Sequence, residues 1–307
     1  MGSLPVVAAV DGTTESNRAL EWAVTAARLR GTALRIVHIR QEAAAERLEV
    51  TWLDDPSTAA ADPVMERVRT ALADRADLPP LQYVSLHGSA ADTLPRLGAR
   101  ARLLVLGSRG RDGFAGLLRG SNGVLCARES ACPVVVVPRP DPAAMLVPHR
   151  PRVVLGLPAP SYDTSTVAFA FEKAARRGAT LQVICAYPWS TPHFAQYGEL
   201  TATGVDDRTL EEQYTRLAEL QLAEQRRRYP DVPVEIVIAP GDPAGHLIAA
   251  SRCADLVVVG RHRSRVRPGR LLGSVTNSLL LKASCPVAVV PSDLESVPAY
   301  AVGARAA

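Results

Sequence analysis

The sequence predicts an α/β protein that contains one unit twice, each unit a five-stranded parallel sheet with helices on both faces. Three observations predict it. First, the chain repeats itself: Arg30-Gly31-Thr32-Ala33-Leu34-Arg35-Ile36-Val37 returns as Arg177-Gly178-Ala179-Thr180-Leu181-Gln182-Val183-Ile184, Leu103–Gly107 returns as Leu256–Gly260, and Ala131-Cys132-Pro133-Val134 returns as Ser284-Cys285-Pro286-Val287. Second, within each copy short apolar runs alternate with longer stretches of helical period. Third, several of those runs are apolar at nearly every position, the mark of strands covered on both faces.

The first copy reads in order as follows. Pro5–Val10 is an apolar strand. Glu15–Arg30 follows as a helix with Ala19, Trp22, Ala23, Ala26 and Ala27 mostly on one flank. Ala33–Ile39 is a second strand, and Pro63–Asp74 a helix striped by Val64, Val68, Ala71 and Leu72. Leu81–Leu86, Ala90–Leu97 and Leu103–Leu106 read as strand, short helix and strand. Ser121–Glu129 is a helix whose first residue is a suitable cap, and Pro133–Val137 the fifth strand. The same order recurs from Arg152 to Val290. The expected divisions are a first domain over 1–138, a proline-rich linker over 139–151, a second domain over 152–291 and a weakly patterned tail over 292–307. Each copy ends on an aliphatic fifth strand, an edge that needs covering. Pairing the two edges with each other makes the chain its own pseudo-dimer; pairing between chains makes a homodimer.

Composition narrows the function classes. At 307 residues, 47% hydrophobic and 21% charged, the chain has material for two cores and is neither disordered nor a disulfide-stapled miniprotein. No run reaches the roughly 18 apolar residues of a membrane helix, and the start lacks the basic region of a signal peptide, so a cytoplasmic protein without membrane partners is expected. The net charge of +4 is small for this length, and nearly all of the 35 basic residues are arginine. The five cysteines form no CxxC and no zinc spacing, so no metal site is expected. Cys132 and Cys285, each before a proline and a valine run, read as small buried apolar residues.

The chemistry concentrates after the fourth strand. There the chain reads Gly107-Ser108-Arg109-Gly110 and, further on, Gly120-Ser121-Asn122 at a helix start. Glycines at 107 and 110 permit a tight turn whose N–H groups face an anion. The helix start adds free N–H groups, the helix dipole, a hydroxyl and an amide. The loop holds three arginines and one aspartate. It lies at the carboxyl ends of the strands, where open α/β sheets bind ligands. Asp11 ends the first strand on the same edge; its carboxylate either accepts hydrogen bonds from a nucleoside or caps the following turn. The loop is not a Walker A, for it lacks Gly-Lys-Ser/Thr, and it is not a dinucleotide fingerprint, which belongs after the first strand. With no phosphate-contacting lysine, binding with at most slow hydrolysis is expected. No catalytic residue is nominated: His38, His87, His193, His246 and His262 are scattered, with no nucleophile beside them.

The pattern Gly107-x2-Gly110-x9-Gly120-Ser121 resembles the nucleotide-binding signature of the ATP-binding universal stress proteins. Val6-Val7-Ala8-Ala9-Val10-Asp11-Gly12 and Ala131-Cys132-Pro133-Val134-Val135-Val136 are similar to the opening and ending of the same family, and the likeness spans residues 4–291. The arrangement resembles the tandem two-domain members typical of actinobacteria. The resemblance implies sheets of the adenine nucleotide α-hydrolase-like type, ATP as cofactor with or without magnesium, and association through the fifth strands. It implies contact of Asp11 with the nucleoside, of the backbone at Val37 and His38 with adenine, and of Gly107, Ser108, Arg109, Gly110, Gly120, Ser121 and Asn122 with ribose and phosphates. Ala9 stands where relatives usually carry glycine, and its methyl is expected to crowd the ligand slightly.

The second copy departs from this pattern. Pro158 stands for Asp11 and Arg263 for Gly110, while Gly156, Gly260, Gly273 and Ser274 survive as a weaker second site. Arg261, Arg263, Arg265, Arg267 and Arg270 charge that loop positively. Either the second copy has lost ATP and serves structure, or it holds a phosphate in an altered pose. The leading expectation is a nucleotide-dependent stress-response regulator with protein partners of unknown identity. The alternative is a scaffold in which nucleotide is dispensable. The arginine loop lacks interleaved aromatics and a reading helix, so nucleic acid is not an expected partner.

Overall fold

The computed structural model describes residues 3–40, 62–108, 122–139, 150–158, 163–187, 207–261 and 272–291. In the first half these form β1 (Val6–Val10), α1 (Thr14–Arg30), β2 (Leu34–Arg40), α2 (Pro63–Leu72), β3 (Leu81–His87), α3 (Ala90–Leu97), β4 (Leu103–Gly107), α4 (Asn122–Glu129) and β5 (Val134–Val137). The second half repeats them as β6 (Arg152–Gly156), α5 (Thr164–Arg177), β7 (Thr180–Tyr187), α6 (Asp207–Arg228), β8 (Val234–Pro240), α7 (Pro243–Ala250), β9 (Leu256–Gly260), α8 (Ser274–Lys282) and β10 (Val287–Val290). The repeated Arg-Gly has a local cause. Gly31 and Gly178 end α1 and α5 in the left-handed conformation, at φ of 64° and 58°, and return their N–H groups to the last helical carbonyls.

All ten strands lie in one sheet, in the order β3-β2-β1-β4-β5-β10-β9-β6-β7-β8. Every neighbouring pair is parallel except the central one. There β5 and β10 run antiparallel, with Val136 opposite Val287, Val135 opposite Ala288 and Val134 opposite Val289. The two aliphatic edges thus cover each other, so neither is exposed.

Successive strand residues face opposite sides. Val6, Ala8 and Val10 pack against α1 through Ala19, Ala23 and Ala27, while Val7 faces Leu94, Leu97 and Cys126 on the other side. Both apolar layers contain residues of both halves, so the core runs unbroken through the central pair.

Across that centre α1 meets α5. Arg30 pairs with Glu172 at 3.0 Å, and Arg176 Nη1 donates to the Leu29 carbonyl at 2.6 Å. Lys173 is buried, with its amine 5.6 Å from the Trp22 ring centre and 4.9 Å from that of Phe169; the Arg177 guanidinium lies 5.3 Å from Trp22. Glu172 is the carboxylate set between the two helices, and Asp255 adds its charge near Arg177. Burial, reinforced by Arg30 and Arg177, pushes the Lys173 ammonium well below its usual range.

In the unfolded chain the lysine titrates near about 10.4. Below that pH, unfolding takes up a proton that the native amine resists, so stability falls as pH drops from there toward the depressed native value. Lys173→Met removes this cost and keeps the bulk. The variant is expected to be more stable than the native chain in urea melts, by more at pH 7 than at pH 10. A variant less stable at pH 7 contradicts the assignment.

Candidate functional site

The strand order reverses between β1 and β4. The connections leaving these two strands diverge, which opens a crevice at their carboxyl ends. Asp11 stands at the end of β1 and Gly107 at the end of β4. Because β4 and β5 are parallel, α4 returns with its N-terminus toward the same rim, and Asn122 opens it. Ser108 continues β4 and donates its N–H to the Val137 carbonyl at 2.9 Å. Asp11, Gly107, Ser108 and Asn122 thus share one edge of the sheet. Arg109, Gly110, Gly120 and Ser121 lie outside the described residues.

Asp11 is half-buried and makes a tight turn. Its Oδ1 accepts the Thr13 N–H at 3.0 Å and the Thr13 hydroxyl at 2.6 Å, while its own N–H donates to Ser16 Oγ at 3.3 Å. The turn-capping role is therefore real, and it fixes the carboxylate at the mouth of the crevice. Gly107 corrects an expectation. Its backbone is not in the left-handed region that a glycine turn would need. A Cβ there would stand 2.9 Å from the backbone carbon and oxygen of Glu15 and 3.1 Å from Ser16 N. The residue is glycine because the N-terminus of α1 presses against β4. Ala9, opposite Val37 in the register, packs its methyl against the second apolar layer, and Val37 is buried there.

His38 contributes more than backbone. It lies opposite Val10, the last residue of β1, and its Nδ1 is 2.6 Å from Asp62 Oδ2. Asp62 is the N-cap of α2 and is buried. Its Oδ1 accepts the N–H groups of Val64 and Met65 at 3.0 and 3.2 Å, and Oδ2 also accepts the Ser85 hydroxyl at 2.7 Å. Four donors thus meet the four lone-pair positions of an ionised carboxylate. Burial alone would raise the Asp62 pKa, but the bonds from His38, Ser85 and the helix amides hold it below the usual carboxylate value. The Asp-Pro pair at 62–63 is a readable helix start. The meeting of three chain segments at His38, Asp62 and Ser85 is not readable from sequence spacing.

The second half presents its crevice at the opposite edge of the sheet, because β10 runs antiparallel to β5. Pro158 follows β6 in place of Asp11 and offers neither a carboxylate nor an N–H. Gly156 is packed tightly: a Cβ there would meet Leu247 Cδ1 at 2.8 Å and Val259 Cγ1 at 3.0 Å. Gly260 ends β9, Gly273 caps α8 and Ser274 opens it. Cys185 stands in place of His38 and is fully buried, and nearby Tyr187 packs on Tyr214 with ring centres 5.6 Å apart. Arg261, expected to charge the loop, sends Nη1 across the centre to the Ser130 carbonyl of the first half at 2.7 Å. Arg263, Arg265, Arg267 and Arg270 lie outside the described residues. Cys132 and Cys285 are buried as expected, and burial pushes the Cys285 thiol up to about 12.

A profile described as Universal stress protein family matches residues 4–138 and 150–291. The chain belongs to that family. Among its relatives is the universal stress protein Rv2005c of Mycobacterium tuberculosis, 32% identical over 92% of this chain and 96% of that protein. Another, Rv1996 of the same organism, is 30% identical over 97% of this chain and 98% of its own length. A crystal structure of a universal stress protein from Archaeoglobus fulgidus is similar in fold, with a TM-score of 0.61 and 18% identity over 95% of this chain and 97% of that one. Among the described residues no helix is long and apolar enough to cross a membrane.

Two outcomes test this geometry. Gly107→Ala is expected to cost about 1–3 kcal/mol, read as a lower urea midpoint, because the added methyl meets backbone that cannot swing aside. Asp62→Asn is expected to flatten the acid limb of stability. A carboxylate held below its unfolded value of about 3.9 gives its full stabilisation above that pH and loses it as pH falls through the native value. The gap between native and variant chains therefore narrows below about pH 4; a constant gap contradicts the network.

Proposed function

We propose that this universal stress protein binds ATP in the crevice of its first half and acts as a nucleotide-dependent regulator, with at most slow hydrolysis. The observation that carries the reading is that Asp11, Gly107 and the N-terminus of α4 share the sheet edge at which the crevice between β1 and β4 opens. A phosphate fits there because free N–H groups and the helix dipole favour an anion. In the sequence, Arg109, Gly110, Gly120 and Ser121 belong to the same segment and supply positive charge, turning glycines and a hydroxyl. Asp11, fixed by Thr13, brings a carboxylate to the crevice, and a carboxylate is an acceptor for ribose hydroxyls.

Hydrolysis is slow on this reading because no lysine accompanies the phosphates. The His38–Asp62 pair lies two strands from Gly107, toward the base rather than the phosphates. Magnesium arrives with the nucleotide. The second half, with Pro158 for Asp11 and Arg261 drawn to Ser130, serves chiefly as the structural partner of the first.

Calorimetric titration with ATP tests the reading. Asp11→Ala is expected to weaken binding about tenfold or more, about 1.4 kcal/mol, and to lower the urea midpoint modestly through the lost Thr13 bonds while the chain stays folded. Equal affinity in the variant removes the crevice as the site.

A further inference from the structure

We propose that Lys173, at the joint between α1 and α5, accepts carbon dioxide and becomes a carbamate that ties the two halves together. The proposal is independent of any nucleotide in the crevices.

Isolation of the amine is the first ground for it. Lys173 is 1% exposed and lies between the rings of Trp22 from α1 and Phe169 from its own helix. Among the described residues it has no hydrogen bond and no ion pair. Glu172 does not supply one, because its Oε1 meets Arg30 and Arg176 and its Oε2 meets Arg30. Asp255, the other carboxylate nearby, accepts the Arg152 N–H at 2.7 Å and carries its charge toward Arg177. A buried ammonium without an acceptor is costly. Lys173 therefore frees its lone pair at a lower pH than an exposed lysine does.

The second ground is the charge around it. Arg30 from α1 and Arg176 and Arg177 from α5 all press on Lys173, Arg30 the most. The Arg30 side chain is 5% exposed, and its Nε is buried with no hydrogen-bond partner. A carbamate turns the one lysine of this cluster from a cation into an anion, with two oxygens that accept from guanidinium groups. It gives the joint a carboxylate-like group where buried donors outnumber their acceptors.

The third ground is access. A modifying enzyme or a charged acyl donor does not reach a side chain buried under two helices, whereas carbon dioxide is small, uncharged and apolar. In the step the amine lone pair attacks the carbon of carbon dioxide and an N–C bond forms. One C=O π pair moves onto oxygen, and the nitrogen gives one proton to solvent. Nothing is oxidised or reduced. In the unfolded chain the lysine titrates at about 10.4, so near neutral pH it is protonated and does not react. Carbon dioxide thus adds to the native chain and not to the unfolded one, and raises stability by mass action.

The test uses the full chain equilibrated near neutral pH with isotope-labelled bicarbonate and carbon dioxide. Carbamate is trapped by O-alkylation with a trialkyloxonium salt and located by peptide mass spectrometry. The sequence has two lysines, Lys173 and Lys282, and the second is exposed on α8, which makes it an internal control. The label is expected on Lys173, absent from Lys282, and lost when the chain is unfolded in urea. At fixed pH and ionic strength, carbon dioxide at about ten times its half-saturating concentration is expected to raise the folding equilibrium constant about tenfold. Lys173→Met is expected to lose both the label and the rise, and Lys282→Arg to keep both. A folded native chain with no label on Lys173 overturns the proposal. So does a label that persists equally in urea, or a rise in stability that survives in Lys173→Met. The labelling result is read on the native chain, so a poorly folded Lys173→Met leaves it decisive.

Discussion

The rest of the structure depends on one antiparallel strand pair. β5 and β10 are short and wholly aliphatic, and in a parallel sheet each would end as an exposed edge of unpaired backbone groups. Joined to each other they close both edges and fuse two parallel sheets into one of ten strands. The antiparallel sense has two consequences. It turns the carboxyl rims of the halves toward opposite edges of the sheet, so their crevices do not share a ligand. It also lays α1 beside α5, where Arg30, Arg176 and Arg177 gather around Glu172 and the buried Lys173. Breaking such a pairing by removing its carboxylate costs more than never having formed it, because buried cations are left unmatched.

The two halves have diverged along the lines that this joint permits. The first keeps a carboxylate at its rim, a helix start facing it and an imidazole held by a buried aspartate. The second replaces the carboxylate with Pro158 and the imidazole with Cys185, and spends Arg261 on the carbonyl of Ser130. Ser108, the counterpart of Arg261, is too short to make the reciprocal contact. The second half therefore grips the first at the end of α4, the helix whose other end faces the first crevice.

Much of the fold was legible because its causes are local or periodic. The strand runs and the helix stripes placed the elements of the first half to within a residue or two, the repeat gave the order of the second half, and the family resemblance agreed with them. The site was legible only in part. Asp11 and Gly107 stand on one rim, as the order of strands required. Gly107 was read as a turning residue, whereas its small size answers to the backbone of α1, a contact between segments far apart in the chain. The same limit hid the His38–Asp62–Ser85 network, whose members come from β2, the start of α2 and β3. Arg261 shows the same limit: nothing in its neighbouring sequence tells that its Nη1 reaches the Ser130 carbonyl of the other half.

On the proposed reading, one chain carries one competent nucleotide site, in the half that kept Asp11. Equilibrium dialysis against saturating ATP, with bound nucleotide counted per chain, tests it most directly. The account predicts one ATP per chain. Two would mean that Pro158 and the diverted Arg261 leave the second crevice intact, and none would mean that the first crevice is not a nucleotide site; either result contradicts the account.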